Sequence, residues 1–354
     1  MIPGIVSPAV PGQVASLLMS LLYQFEQTQW LAPEALFAEQ ARQLRVLFGH
    51  AARTTAFYHR RFQASGVDPA APVTRQTLGR LPILSRAELQ AAGGEIVPDE
   101  LPKAHGKRHS IETSGSDGSP LKLFGTEATG LFWRAGVMRE HLWHGRDLGG
   151  KLAAIRRASP GAAMAPMGLK SDSWGPASGA VYPTGPAVML NIASPLPAQL
   201  DWLQREQPDY LISLPSNVEA LAAHCLKEGV TLPRLKQVLT VGEPVPPALR
   251  ATVRKAWNVT VKDSYSCEEA GYLAMQCPQE EVLHVQSESV LLEIVDEAGR
   301  ACAPGEAGRV VVTSLHNFAT PLIRYELGDL AEFGAPCTCG RGLPVISRVL
   351  GRSG

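Results

Sequence analysis

The sequence has no excess of charge of either sign: 33 Lys and Arg against 33 Asp and Glu give a formal net charge of zero. Nucleic-acid domains usually carry a basic excess, so neutrality argues against a general polyanion binder. Basic residues are also missing from the start of the chain. The apolar stretch from Val14 to Leu22 looks like a signal-peptide core, yet the first basic residue is Arg42, so the positive segment that precedes such a core is absent. The stretch is far short of the about 20 apolar residues that span a bilayer. An amphipathic helix packed on the body is expected there, with no membrane partner. Cysteine is scarce, with six residues at positions 225, 267, 277, 302, 337 and 339. Two form a Cys-x-Cys pair, too close for an ordinary structural disulfide. With no signal peptide, a reducing cytoplasm and metal or free-thiol roles are expected.

What is present is a soluble globular composition: 354 residues, 45% hydrophobic, with 33 Gly and 28 Pro. That length suggests about two domains. Residues 1–105 read as mainly helical. Pro33 can open a helix, in which Leu36, Phe37, Leu44, Leu47 and Phe48 line one face. Ser85-Arg86-Ala87-Glu88 is a capping box. Residues 106–282 alternate short apolar runs (Leu152–Ile155, Tyr210–Leu214, Gln237–Val241) with a helical stretch at Asn217–Lys227, which favours a parallel α/β sheet. Residues 283–350 hold β-rich runs at Ser289–Val295 and Arg309–Thr313, joined by a turn-rich link, and read as a small antiparallel sheet or barrel. The fold class expected is therefore α/β with a helical N-terminal region and a small antiparallel β-barrel-like part.

The most informative segment runs Ser110-Ile111-Glu112-Thr113-Ser114-Gly115-Ser116-Asp117-Gly118-Ser119-Pro120-Leu121-Lys122. Glycines let backbone N–H groups approach an anion, hydroxyls add donors, and a lysine adds a point charge. That inventory suits a di- or triphosphate. It matches neither the Walker pattern nor the dinucleotide fingerprint, and a polar turn between strands explains it equally well.

This loop resembles the Thr-Ser-Gly-Ser/Thr-Thr-Gly-x-Pro-x-Lys signature of the adenylate-forming superfamily of acyl-CoA synthetases. Further segments are similar to that family's motifs in the same order. Val241-Gly242-Glu243-Pro244 resembles its Gly-Glu turn beside the adenine. Asp263-Ser264-Tyr265-Ser266-Cys267-Glu268-Glu269 resembles its Tyr-Gly-x-Thr-Glu motif, and Arg324-Tyr325-Glu326-Leu327-Gly328-Asp329-Leu330 its Tyr-x-x-Gly-Asp motif. Gly351-Arg352 resembles the pair that precedes the family's interdomain hinge. The phenylacetate–CoA ligase branch is the most similar. Ala56-Phe57-Tyr58-His59-Arg60-Arg61-Phe62, Leu81-Pro82-Ile83-Leu84-Ser85-Arg86, Pro321-Leu322-Ile323-Arg324-Tyr325 and Cys337-x-Cys339-Gly340-Arg341 are the segments that resemble it.

The resemblance implies ATP-dependent attack of a carboxylate on the α-phosphate, with pyrophosphate leaving. A carboxylate is already ionised at neutral pH, so alignment and charge neutralisation are needed and a general base is not. It also implies roles. Thr113, Ser114, Gly115, Ser116 and Gly118 would hold the departing phosphates with Lys122 nearby, and Glu269 would hold Mg²⁺. Gly242, Glu243 and Pro244 would line the adenine, next to Asp263, Ser264, Tyr265 and Ser266. Asp329 would bind the ribose hydroxyls, and Arg352 the ribose or phosphate. Trp133 and Trp174 would line the acyl pocket, although core packing serves both equally well. Three departures stand out: Asp117 where the family usually has Thr, Ser266 for Gly, and Glu268 for Thr or Ser. They bear on catalytic strength more than on the site's identity.

Cys277-x6-His284 and Cys337-x-Cys339 supply three thiols and an imidazole, a common structural zinc set. Idle buried thiols are the alternative. His141 and His144, at i and i+3 on an expected helix, read as surface or pocket-lining residues.

CoA is the acceptor the resemblance implies. Transfer to a carrier-protein thiol or an amine, and a nucleotide-binding module without turnover, are the alternatives. The acid is not legible, an aromatic or fatty acid being the default. Oligomeric state stays open, with a homodimer among the alternatives. Family members usually continue past the Gly-Arg pair into a smaller C-terminal domain. Residues 351–354 are therefore expected to begin a hinge, and the chain alone to adenylate poorly.

Overall fold

The computed structural model describes residues 2–5, 7–8, 10–113 and 121–352. The chain forms two compact units, each discontinuous in sequence: residues 1–20 with 134–265, and residues 21–133 with 266–354. They cut across the boundaries read along the chain at 105 and 282.

Among the described residues, five α-helices precede the first strand: α1 (Gln13–Thr28), α2 (Pro33–Thr54), α3 (Ala56–Ser65), α4 (Arg75–Arg80) and α5 (Arg86–Ala92). The apolar start of the chain is helical as expected. Leu18, Leu22 and Phe25 of α1 are buried, and among the described residues no helix is long and apolar enough to cross a membrane. Pro33 stands in the first turn of α2, where its missing N–H costs nothing. The capping box holds: the Ser85 hydroxyl accepts from the Glu88 amide, and Glu88 Oε2 accepts from the Ser85 amide at 2.8 Å.

In the first unit, the strands β3 (Leu152–Arg156), β5 (Ala187–Asn191), β6 (Tyr210–Ser213), β7 (Gln237–Val241) and β8 (Thr260–Cys267) pair in parallel in the order β5-β3-β6-β7-β8. A short β4 (Leu169–Ser171) runs antiparallel at the β5 edge. Parallel strands require crossovers, supplied here by α7 (Ser178–Val181), α8 (Leu196–Glu206), α9 (Pro215–Glu228) and α10 (Leu249–Trp257). Ile155, Leu190, Leu211, Val238 and Val261 of the sheet pack with Trp202 of α8 in one core. β3, β5, β6 and β7 are largely apolar runs without alternation, the signature of a sheet covered on both faces, whereas β8 is more polar.

In the second unit, the strands β9 (Gly271–Gln276), β10 (Leu283–Val285), β11 (Val290–Val295), β12 (Ala307–Ser314), β13 (Tyr325–Phe333) and β14 (Val345–Arg352) form an antiparallel sheet in the order β11-β12-β13-β14-β10-β9. Gly351 and Arg352, read in sequence as the start of a hinge, are the last residues of β14. A separate two-stranded hairpin, β1 (Arg108–Thr113) and β2 (Leu121–Thr126), precedes α6 (Glu127–Trp143).

The helical segment is tied to the sheet of this unit by buried polar contacts. Tyr58 Oη donates to the Pro321 carbonyl at 2.7 Å and accepts from the Ile323 amide at 3.1 Å. Arg324 has φ 52°, rare for a residue other than glycine. Its guanidinium forks onto Glu293 at 3.0 and 3.1 Å and reaches the Leu81 carbonyl at 2.6 Å. The backbones of Leu84 and residues 324–326 exchange hydrogen bonds at 2.7 and 3.0 Å. The Pro321–Tyr325 segment is thus clamped by residues some 240 positions earlier in the chain.

Candidate active site and metal centre

In the first unit, Gly242–Pro244 and Asp263–Ser266 lie at the C-terminal ends of parallel strands, where open α/β sheets place their ligands. Gly242 follows β7 with φ 81°, a left-handed conformation that favours glycine. Glu243 accepts from the Ser216 amide at 3.0 Å, so its carboxylate sits at the N-terminus of α9, where the helix dipole favours negative charge. Thr240 and Asp263 are registered neighbours on β7 and β8, and Thr240 Oγ1 donates to Asp263 Oδ1 at 2.9 Å. Ser264 is buried, with no hydrogen-bond partner for its hydroxyl among the described residues, and Tyr265 beside it is half-buried.

Burial pushes the Asp263 carboxyl up to about 7, against the Thr240 hydrogen bond and the charge of Arg250, while Glu140 adds to the rise. A carboxyl whose folded pKa lies above its unfolded one is stabilised by its proton. That contribution is complete below about pH 4 and is lost as pH rises through 7. Asp263→Asn should therefore raise the thermal midpoint at pH 8, by about 2 kcal/mol of stability, and leave it nearly unchanged at pH 4.5. Melting curves across that range check this; an unchanged pH slope in the variant excludes it.

Trp174 is held as a packing residue. Its Nε1 donates to the Gly150 carbonyl at 2.8 Å, and its ring meets those of Tyr210 and His141 edge-on, at 5.3 and 5.1 Å. His141 is itself buried, against the surface reading, with Nδ1 2.9 Å from Arg146 Nη1. Burial, with the charge of Arg146, brings its pKa down to about 3, so the ring is neutral.

In the second unit, Thr113 ends β1 and Lys122 lies on β2, exposed and opposite Glu112. Lys122 Nζ stands 5.8 Å from the centre of the Phe124 ring. Ser114, Gly115, Ser116, Asp117 and Gly118 lie outside the described residues. Asp329 on β13 is registered with Arg352 on β14, and Arg352 Nη1 comes within 3.5 Å of Asp329 Oδ1. The same nitrogen donates to the Leu327 carbonyl at 2.6 Å. Burial raises the Cys267 thiol well above its ordinary range, and the charges of Glu269 and Asp329 add to the rise. Tyr325, which sequence reasoning had left without a role, is pushed up to about 12 by burial and by Glu269, while a hydrogen bond from Arg86 opposes the rise. Arg86, Tyr325, Glu269, Cys267 and Asp329, from three separate stretches of chain, are thus coupled electrostatically. Trp133 packs against Tyr272, ring centres 5.3 Å apart, and over Gly271, so its contacts too are with the protein.

The cysteine–histidine set converges. Cys277 follows β9, His284 lies in β10, and Cys337 and Cys339 stand in the link between β13 and β14. Their ligand atoms all lie within 4.8 Å of one another. Cys277 Sγ and Cys337 Sγ are 3.7 Å apart, and Cys339 Sγ and His284 Nε2 3.3 Å. A tetrahedral zinc at about 2.3 Å from sulfur and about 2.0 Å from nitrogen spaces its ligands by roughly 3.5–3.8 Å, so the donor set fits the ion. His284 Nδ1 faces the Leu343 carbonyl at 3.4 Å, the arrangement that turns the other ring nitrogen toward a metal. Just beyond, Arg341 Nε donates to Gln29 Oε1 at 3.0 Å, and the Gly342 amide to the Gln29 carbonyl at 2.9 Å. Residue 342 must be small, because a Cβ there would overlap the Leu31 carbonyl.

Against known proteins, the family model described as AMP-binding enzyme matches residues 178–320. The phenylacetate-coenzyme A ligase of Thermus thermophilus is 26% identical over 347 residues, covering 94% of this chain and 74% of that protein. The phenylacetate-coenzyme A ligase of Pseudomonas putida is 26% identical over 330 residues, covering 90% and 71%. The chain is thus similar to AMP-binding enzymes over residues 178–320, and to phenylacetate-coenzyme A ligases over about nine-tenths of its length. Among solved structures, a 2-hydroxyisobutyryl-CoA ligase in an open conformation, in complex with 2-HIB-AMP and CoA, superposes with a TM-score of 0.69. It is 22% identical, and the match covers 88% of this chain and 74% of that one. The α/β fold is thus that of adenylate-forming CoA ligases.

Proposed function

We propose that this protein activates a carboxylic acid with ATP, forming an acyl-adenylate and pyrophosphate, and passes the acyl group to the thiol of CoA. The observation that carries this reading is the likeness, along nine-tenths of the chain, to two phenylacetate-coenzyme A ligases. In this reading, Asp329 accepts the ribose hydroxyls from β13, with Arg352 supplying positive charge beside it. The turn at Gly242–Pro244 and the segment Asp263–Ser266 serve the adenine. Thr113 and Lys122, with the residues at 114, 115, 116 and 118, draw negative charge away from the α-phosphate as pyrophosphate leaves. Each does so by pre-placed charge or hydrogen bonds, with no proton to transfer. Glu269 is assigned to Mg²⁺, a hard cation suited to a carboxylate. Trp133 and Trp174 are assigned to the acyl pocket, with core packing as the alternative for each. The Cys277, His284, Cys337 and Cys339 set is assigned a structural zinc, which holds the β13–β14 link to β9 and β10 and takes no part in the chemistry.

ATP–pyrophosphate exchange measured against a panel of aromatic, aliphatic and hydroxy acids tests the activation step. Exchange with at least one acid, weak in this chain alone, with at most a trace of thioester when CoA is added, is the expected result. Exchange with transfer to a carrier-protein thiol or an amine in place of CoA would assign the acyl group to that acceptor. No exchange with any acid, in a protein that still binds ATP, would overturn the enzymatic reading.

A further inference from the structure

We infer that Thr320 is a positioning residue for the phosphate-binding hairpin, acting on Lys122 through Phe124; the inference rests on the proposed function. The β1–β2 hairpin is a sheet of only two strands. Such a ribbon is marginal unless something outside it holds it. The outer edge of β2 has to find a partner for its outward-pointing amides. At Phe124 that partner is a side chain: Thr320 Oγ1 accepts from the Phe124 amide at 2.9 Å. Thr320 is only 1% exposed and Asn317 only 3%. The loop holding Thr320 is in turn fixed from within, since Asn317 Oδ1 accepts from the amides of Ala319 and Thr320 at 3.0 and 3.2 Å.

Phe124 is also where the charge of the hairpin is organised. Its ring lies between two cations, with Lys122 Nζ at 5.8 Å and the Arg108 guanidinium at 5.4 Å from the ring centre. Both are within the range at which an aromatic face attracts a cation. Holding the Phe124 backbone therefore steadies the strand that carries both the ring and Lys122. An exposed lysine has several rotatable bonds and loses aim easily, so a ring two residues away on the same face of β2 restricts where its ammonium can stand.

Thr320→Val keeps the shape of the side chain and removes the acceptor; Thr320→Ser keeps the acceptor. Binding of Mg-ATP and of AMP by calorimetry, with hydrogen exchange at the Phe124 amide, separates the possibilities. Thr320→Val should exchange that amide faster, weaken ATP about 10-fold and leave AMP within about 2-fold, because AMP lacks the β- and γ-phosphates. Thr320→Ser should restore all three readouts. Equal losses for ATP and AMP would show a general structural role and overturn the inference. ATP binding unchanged in Thr320→Val, with a wild type that binds ATP, would overturn it alone. A wild type that binds AMP and shows no added affinity for ATP would overturn the phosphate reading of the hairpin and this inference with it.

Discussion

Purified protein is expected to carry one zinc per chain, and replacing Cys337 with Ser is expected to lose the metal and lower the thermal midpoint by about 10 °C. The size follows from what the site joins. Its four ligands come from three places in sequence, Cys277, His284 and the Cys337–Cys339 turn, and the ligand atoms already stand within 4.8 Å of one another. Without an ion, three thiols and an imidazole crowd together with only weak hydrogen bonds between them. Burial and the neighbouring thiols push the Cys337 thiol up, whereas, against burial, hydrogen bonds from Arg341, Cys337 and Cys277 lower that of Cys339. A structural zinc returns on the order of 10 kcal/mol in small domains, and about 7 kcal/mol of that moves the midpoint of a chain this long by about 10 °C. Because the Arg341–Gln29 and Gly342–Gln29 contacts follow directly on the ligand turn, loosening should spread to residues 29–31. Metal analysis and melting with and without a strong chelator are the checks. Zinc near zero in protein purified without chelator, with a midpoint insensitive to Cys337→Ser, would remove the site.

Glu269→Gln is expected to cut ATP–pyrophosphate exchange by about 10²–10³-fold while leaving the fold intact. The carboxylate raises the pKa of two neighbouring groups, those of Tyr325 and Cys267. Both are neutral at pH 7, so removing its charge takes away no salt bridge between them. Stability should hold, and the cost should fall on the step in which negative charge develops on the phosphates. Raising Mg²⁺ should recover part of the lost rate, since the amide keeps an oxygen but loses the charge that holds the ion. Exchange measured over a range of Mg²⁺ decides it; an unchanged rate at limiting Mg²⁺ would take Glu269 out of the metal role.

Much of the local structure was legible because it is local. Apolar runs with no alternation announced β3, β6 and β7, and Pro33 and the Ser85–Glu88 box announced where α2 and α5 begin. The Cys-x-Cys turn and the Cys277-x6-His284 pair advertised a metal set by residue type alone. Less visible was how a side chain would be used once neighbours from elsewhere arrived. Glu243, in the turn beside β7, caps α9; Trp174, offered as a pocket wall, is fixed by Gly150 and Tyr210; His141 is sealed beside Arg146. Tyr325 and Arg324 carried no signal beyond sitting in a motif, yet one is coupled to Glu269 and the other clamps residues 79–84.

By itself, the sequence determined which stretches are helix or strand, which residue types offer thiol, carboxylate and hydroxyl chemistry, and the order in which they come. Periodicity, capping and turn formation act over a few residues, so each leaves its mark within one window. The tertiary structure alone decided that residues 21–133 share a unit with 266–354, that Asp329 stands opposite Arg352, and that Thr320 meets Phe124. Those pairings depend on strand register and on the closure of long loops, and no short window of sequence encodes either.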